Sequence, residues 1–271
     1  MIYLLVAWVL DRAQLKIAAP SYPNPYCYYA SVDAINTRTA VSPMAYRVLV
    51  PWLVAAIESW FPSLKAKRLV WVYEPLHIGL IALMFYSVDL AIGRIGMLWF
   101  GTLLVVTFYY AYWDYAAEVI GLALALTGNP GMALLGGLIA ALSRETAPLG
   151  AVTYMLVTGD VGHALQILSA ILAVMLAVRL YVGKRKLYCG RVLWRANWRD
   201  LKLITINRPL YLGEISMSLL VSALTLYAVV SGGAGRAWIV PLMLLVLGWT
   251  MARASETRVF TGCLLFVAAA L

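Results

Sequence analysis

Residues 112–148 read YWDYAAEVIGLALALTGNPGMALLGGLIAALSRETAP. Two carboxylates, Asp114 and Glu118, stand four residues apart in a region otherwise almost continuously apolar from Met97 to Leu142. At that spacing they share one helix face. Asn-Pro and Pro-Gly are strong turn signals, so TGNPG (127–131) divides a helix over Tyr115–Thr127 from one over Met132–Leu142. SRET (143–146) with Pro148 divides the second from a third, Ala147–Val157. Each piece has about 12 residues, where a full crossing needs about 20. Such short helices are tolerated at a thinned or protein-packed site.

Acids in this setting need a reason. An unpaired acid at mid-bilayer costs about 2.5–3.5 kcal/mol on insertion scales. Two together repel unless a cation or proton intervenes. One reading makes Asp114 and Glu118 oxygen ligands for Mg²⁺ or Mn²⁺, or an acid/base pair. The other is an ion pair with Arg144 that holds helices together. Arg144 and Glu145 carry the same two readings: a bidentate clamp on a substrate phosphate, or intramembrane ion pairing.

The whole chain of 271 residues is 63% hydrophobic and 12% charged, with a mean hydropathy of +0.85. Soluble domains average about 45–50% apolar and about 25% charged residues. The expectation is all-α: a polytopic membrane helix bundle of about ten spans plus an interfacial juxtamembrane helix, forming one domain over residues 1–271. Further spans read as Val70–Ile92, Ile95–Trp113, His163–Val182, Tyr211–Val230, Ala237–Met251 and Phe260–Leu271. The N-terminal stretch lacks the basic start of a signal peptide and reads as a short or tilted first span. The net charge of +9 suits loops at anionic headgroups or an anionic substrate. No soluble basic module with interleaved aromatics is present, which argues against nucleic acid as a partner. Cys27, Cys189 and Cys263 have no metal-binding spacing; the first two lie in loops and are able to pair if those loops meet.

Ala45–Phe61 is apolar apart from Arg47, Pro51 and Glu58 close to one face. A thin polar stripe fits a helix lying in the interface plane. If it lies flat, counting crossings gathers loop 20–47, residues 65–68, Asp114, Ser143–Thr146 and segment 184–208 on one side. Arg94, Asn129, Asp160, His163 and Arg236 fall on the other. Loop 20–47 carries Tyr28, Tyr29 and a single acid, Asp33, a candidate general base. Segment 184–208 alternates basic residues, Arg191 and Arg195 among them, with Trp and Leu. It reads as an amphipathic interfacial segment able to dock a lipid phosphate. Glu74 and His77 read as a polar pair, and Asp89 as a partner for a residue near Arg94.

The segment YAYWDYAAEVIGLALALTGNPGMALLGGLIAALSRETAPLGAVTYML (110–156) resembles a signature of the GT-C superfamily, integral-membrane glycosyltransferases that use polyprenyl-phosphate-linked sugars. Protein O-mannosyltransferases and aminoarabinose transferases belong to it. The resemblance rests on Asp114, the following short helix, Asn129-Pro130, Gly136-Gly137, and Arg144 with Thr146. SPMAYRVLVPWLVAAI upstream is similar to the start of the family's juxtamembrane helix, and Tyr28-Tyr29 to part of its first large loop. It covers about residues 20–160. It implies that an acceptor, activated by a first-loop acid, attacks a sugar C1 while polyprenyl phosphate leaves. Arg144 and Arg47 would stabilise that phosphate, with Asp114 binding a metal or orienting the acceptor. It also implies an extracytoplasmic site, whereas the positive-inside rule puts the face carrying 65–68 and 184–208 in the cytoplasm. Where the family has its first-loop acid, this chain reads Asn24-Pro25-Tyr26, and Asp33 lies beyond the tyrosines. Two alternatives follow: a non-catalytic membrane subunit or scaffold with a protein partner, and a transporter or flippase for an anionic lipid, whose folds also use broken short helices.

Overall fold

The computed structural model describes residues 1–18, 35–37, 47–67, 69–106, 113–183, 209–232, 235–251 and 260–271. These form ten α-helices, with no strand among the described residues: α1 (Ile2–Ala18), α2 (Leu49–Trp60), α3 (Glu74–Val106), α4 (Trp113–Leu126), α5 (Pro130–Ala141), α6 (Pro148–Thr158), α7 (Val161–Val182), α8 (Pro209–Val230), α9 (Ile239–Met251) and α10 (Thr261–Ala270). The all-α expectation holds. Helix length is where the structure differs. Among the described residues two helices are long and apolar enough to cross a membrane, Trp71–Val105 and Val161–Val182.

The first of these is not one rod. Gly93 has φ +76° and ψ 173°, outside helical geometry and in a region L side chains rarely adopt. Phe85 and Phe100 stack edge-on with ring centroids 6.0 Å apart. Fifteen residues along a straight helix would separate them by about 22 Å. The chain folds back at Gly93, so α3 is a hairpin of limbs 74–92 and 94–106. The boundary expected between two apolar segments is there. The second limb is described as far as Val106, and Trp113 starts α4 instead of ending the preceding segment.

α4 is the central helix. Every residue from Asp114 to Ala125 is buried, packed among α3, α5, α6 and α10. Its small residues allow this: a β-carbon on Gly121 would lie 2.9 Å from the Ala140 β-carbon and 3.2 Å from the Gly136 carbonyl oxygen. Close crossings of this kind are how helices associate when lipid removes the hydrophobic drive. At the far end of the bundle, Asn129 caps α5 by accepting from the Met132 amide at 3.0 Å, with Pro130 in the first turn. Asp160 caps α7 the same way through the His163 amide at 3.0 Å. That amide, with the His163 ring second, pulls the Asp160 carboxyl below its usual pKa.

α2 begins and finishes at the opposite end. The Leu49 amide donates to the Leu142 carbonyl at 3.0 Å, where α5 finishes. Val50 and Val54 pack on Val72, Tyr73 and Val178, and Trp52 meets Tyr181 edge-on at 5.6 Å. A turn over Pro62–Lys67 then leads into α3. Twelve residues span about 18 Å, and both ends sit at the same end of the bundle, so α2 lies across it. It starts at Leu49, so Arg47 precedes the helix, and Pro51 is on the buried face. The expected polar stripe of Arg47, Pro51 and Glu58 does not form.

Candidate functional site

The α4–α5 register builds the site. The two helices run antiparallel through a short turn and cross at Gly121 and Gly136. Seven residues away from that crossing, Asp114 comes opposite Ser143. The SRET turn is thereby delivered onto the N-terminal turn of α4. Helix dipoles favour the charges found here: acids near N-termini, as with Asp114 on α4 and Glu145 before α6, and arginine past the C-terminus of α5.

Arg144 bridges both carboxylates, with Nη1 3.5 Å from Asp114 Oδ2 and Nη2 3.5 Å from Glu118 Oε2. Its guanidinium also stacks on the Tyr115 ring, 4.1 Å from the centroid. Arg47 donates to Asp114 from the other direction and reaches Glu145 at 3.9 Å. The Thr146 hydroxyl donates to Glu118. Burial opposes the charge on Arg144, but Glu118, Tyr115 and Asp114 outweigh it and push its pKa up, so the guanidinium stays charged. Arg47 Nε, Arg144 Nε, Ser143 Oγ and the acceptor Glu118 Oε2 are buried with no hydrogen-bond partner among the described residues. Each such orphan costs about 1–3 kcal/mol.

Beside the cluster, a cleft open to solvent is lined by Ala141, Arg144, Glu145, Met175, Val178 and Arg179. Arg179, in the last turn of α7, is exposed.

The structure thus joins Arg47, Asp114, Glu118, Arg144 and Glu145, residues singled out in the sequence. Asp33, Tyr28, Tyr29, Arg191 and Arg195 lie outside the described residues, as do Cys27 and Cys189. Sequence reasoning missed Tyr115 and Arg179. Arg179 was hidden in an apolar run, although an arginine one turn from a helix end is itself a signal. A divalent cation fits this donor set poorly. Guanidiniums occupy the space between the carboxylates, and no group of three or more His, Cys, Asp or Glu converges among the described residues.

A second polar system ties α1 to limb 74–92. The Tyr3 hydroxyl donates to Asp89, Arg12 pairs with Glu74, and Asp11 Oδ1 lies 3.0 Å from His77 Nδ1. Glu74 and His77 each have a partner on α1. Arg94 approaches Asp89 at 3.9 Å, as its position suggested.

No family model, curated protein or solved structure matches this chain.

Proposed function

We propose that the chain is a multi-pass membrane protein of glycosyltransferase type, acting on a polyprenyl-phosphate-linked sugar at the polar end of the bundle. The observation that carries this reading is the convergence of Arg47 and Arg144 on Asp114, with buried guanidinium donors to spare. The membrane setting is supported by the exposed leucines of α7, Leu165, Leu172, Leu176 and Leu180, because soluble proteins rarely leave large apolar patches uncovered.

In this mechanism an acceptor hydroxyl oxygen bonds to the sugar C1. The bond from C1 to the phosphate oxygen breaks, its electrons leave with polyprenyl phosphate, and the hydroxyl proton passes to a base. Arg47 and Arg144 stabilise the charge growing on the leaving phosphate. Asp114 and Glu118 hold those guanidiniums in place. Asp33 remains the candidate base. By the GT-C resemblance the site faces away from the cytoplasm.

The test is transfer of a labelled sugar from its polyprenyl phosphate by membranes containing the chain. Asp114→Asn is expected to lower transfer by about 100-fold, the scale of losing one preorganised electrostatic contact, at unchanged protein level. Full transfer by that variant removes Asp114 from the site.

One observation favours a second reading, a non-catalytic subunit of the same fold. Both buried carboxylates are engaged, Asp114 by two arginines and Glu118 by Arg144 and Thr146, which leaves neither free as a base. That reading expects stoichiometric co-purification with a partner and no transfer by the chain alone.

A further inference from the structure

We infer that α2 is a hinged strap over the charged cluster: α2 and the Pro62–Lys67 turn swing as one lever about the junction before Pro75, carrying Arg47 on and off Asp114. The inference goes beyond the transferase reading, because it concerns access to the cluster and holds for a catalytic or a non-catalytic chain.

Among the described residues Asp114 and Glu118 are each 3% exposed, so a ligand reaches them only if an element moves. α4, α5 and α6 are poorly placed to do so, because they pack on one another. α2 lies across the end of the bundle and buries only Val50, Pro51 and Val54. Trp52, Leu53, Ala55, Ala56, Ser59 and Trp60 on the same helix are exposed.

The hinge is set by the backbone. Leu69–Tyr73 forms a π-turn, and α3 follows directly at Glu74. Pro75 has no amide proton, so the α-helical bond to the Trp71 carbonyl is missing, and the ring crowds that carbonyl. The wider π-turn takes up the break, and helices bend at such places. The lever itself is continuous. The Phe61 amide donates to the Ile57 carbonyl at 2.8 Å and the Leu64 amide to the Phe61 carbonyl at 3.0 Å, so the turn extends α2. Val72 and Tyr73, before the hinge, pack with Val50 and Val54 and travel with them.

At the other end the strap is held closed by Arg47 on Asp114 and Glu145, by the Leu49 amide on the Leu142 carbonyl, and by contacts with Val178 and Tyr181 of α7. Val48 is wholly buried there. With Arg47 withdrawn, Asp114 and Glu118 face Arg144 alone, and the attraction of the two acids for Arg47 recloses the strap.

The experiment reads strap opening in the full chain purified in detergent. In a background of Cys27→Ser and Cys189→Ser, Val48→Cys places a thiol under the strap, while buried Cys263 reports opening of the whole bundle. Maleimide labelling of both thiols is followed by mass spectrometry. Val48→Cys is expected to label at least ~10-fold faster than Cys263, as a local opening does relative to a global one. Pro75→Ala, which restores the missing amide, should slow that labelling about 10-fold. Arg47→Gln, which frees the anchor, should speed it about 10-fold. Cys263 should keep its rate in both. Hydrogen exchange on the unsubstituted chain gives a second reading that does not depend on these variants folding: the amides of 49–60 and 62–67 should exchange together and faster than those of α4. Equal labelling of the two thiols, an unchanged rate in Pro75→Ala, or exchange of α2 no faster than that of α4 overturns the inference. Strap opening without sugar transfer leaves it standing and counts against the transferase reading alone.

Discussion

Two polar systems cross this apolar bundle, and they are built differently. Between α1 and limb 74–92 the groups pair across one helix–helix contact: Tyr3 with Asp89, Asp11 with His77, Arg12 with Glu74. At the N-terminal turn of α4, charges from three separate segments meet on Asp114 and Glu118, and Arg144 serves both acids at once. Pairing along one contact fixes the register of two helices. Convergence on two acids ties several segments together at one point, although both systems hold buried polar atoms without a hydrogen-bond partner, Asp11 Oδ2 in the first and Arg47 Nε, Arg144 Nε, Ser143 Oγ and Glu118 Oε2 in the second.

The sharpest way to break this contrast is Arg144→Ala. It strands two buried carboxylates, and removing one member of a buried ion pair costs about 3–5 kcal/mol. A large fall in the melting point of detergent-purified protein is expected. A loss no bigger than that of a surface variant would make the convergence incidental. Asp11→Ala comes next. It removes a charged hydrogen-bonding partner of His77, a loss of about 1.5–3 kcal/mol, and sugar or lipid binding should stay at wild-type level. Arg12→Ala should do least among these three. Its side chain is 44% exposed against 10% for Arg144, and exposed pairs contribute about 0.2–1 kcal/mol. A smaller effect still is expected at the α7 cap. The folded-state pKa of Asp160 is lowered, so its charge adds stability above the ordinary carboxylate range, which is lost as pH falls through that range. Asp160→Asn keeps the cap, so the gap in melting point between it and the wild type should begin to narrow as pH falls below the unperturbed carboxyl pKa of about 3.9, and should close only below the lowered folded-state pKa.

The helix boundaries around the site were legible because local chemistry writes them. Asn129-Pro130 starts α5 two residues before the expected Met132, and Pro148 starts α6 one residue after the expected Ala147. The gathering of Asp114 and the SRET turn at one end followed from counting crossings alone. Sequence named Arg144 as a partner of the two acids but did not reveal the more distant partners. Arg47 is 67 positions from Asp114, and His77 is 66 from Asp11. No spacing rule connects residues that far apart, so Glu74 and His77, neighbours on one helix, were read as a pair. The short lengths of α5 and α6 were legible, at 12 and 11 residues, because turn residues bound them on both sides.

The fold-back at Gly93 has a consequence for how this protein is made. In the membrane placement proposed above, a hairpin closed by a single residue has no soluble loop to carry across, and limbs 74–92 and 94–106 would partition into lipid as one wedge during synthesis. Any side chain at position 93 would have to adopt a left-handed backbone before that wedge closed. The cost would then surface as slow or failed insertion, visible in pulse-labelled nascent chains long before any assay of the mature protein.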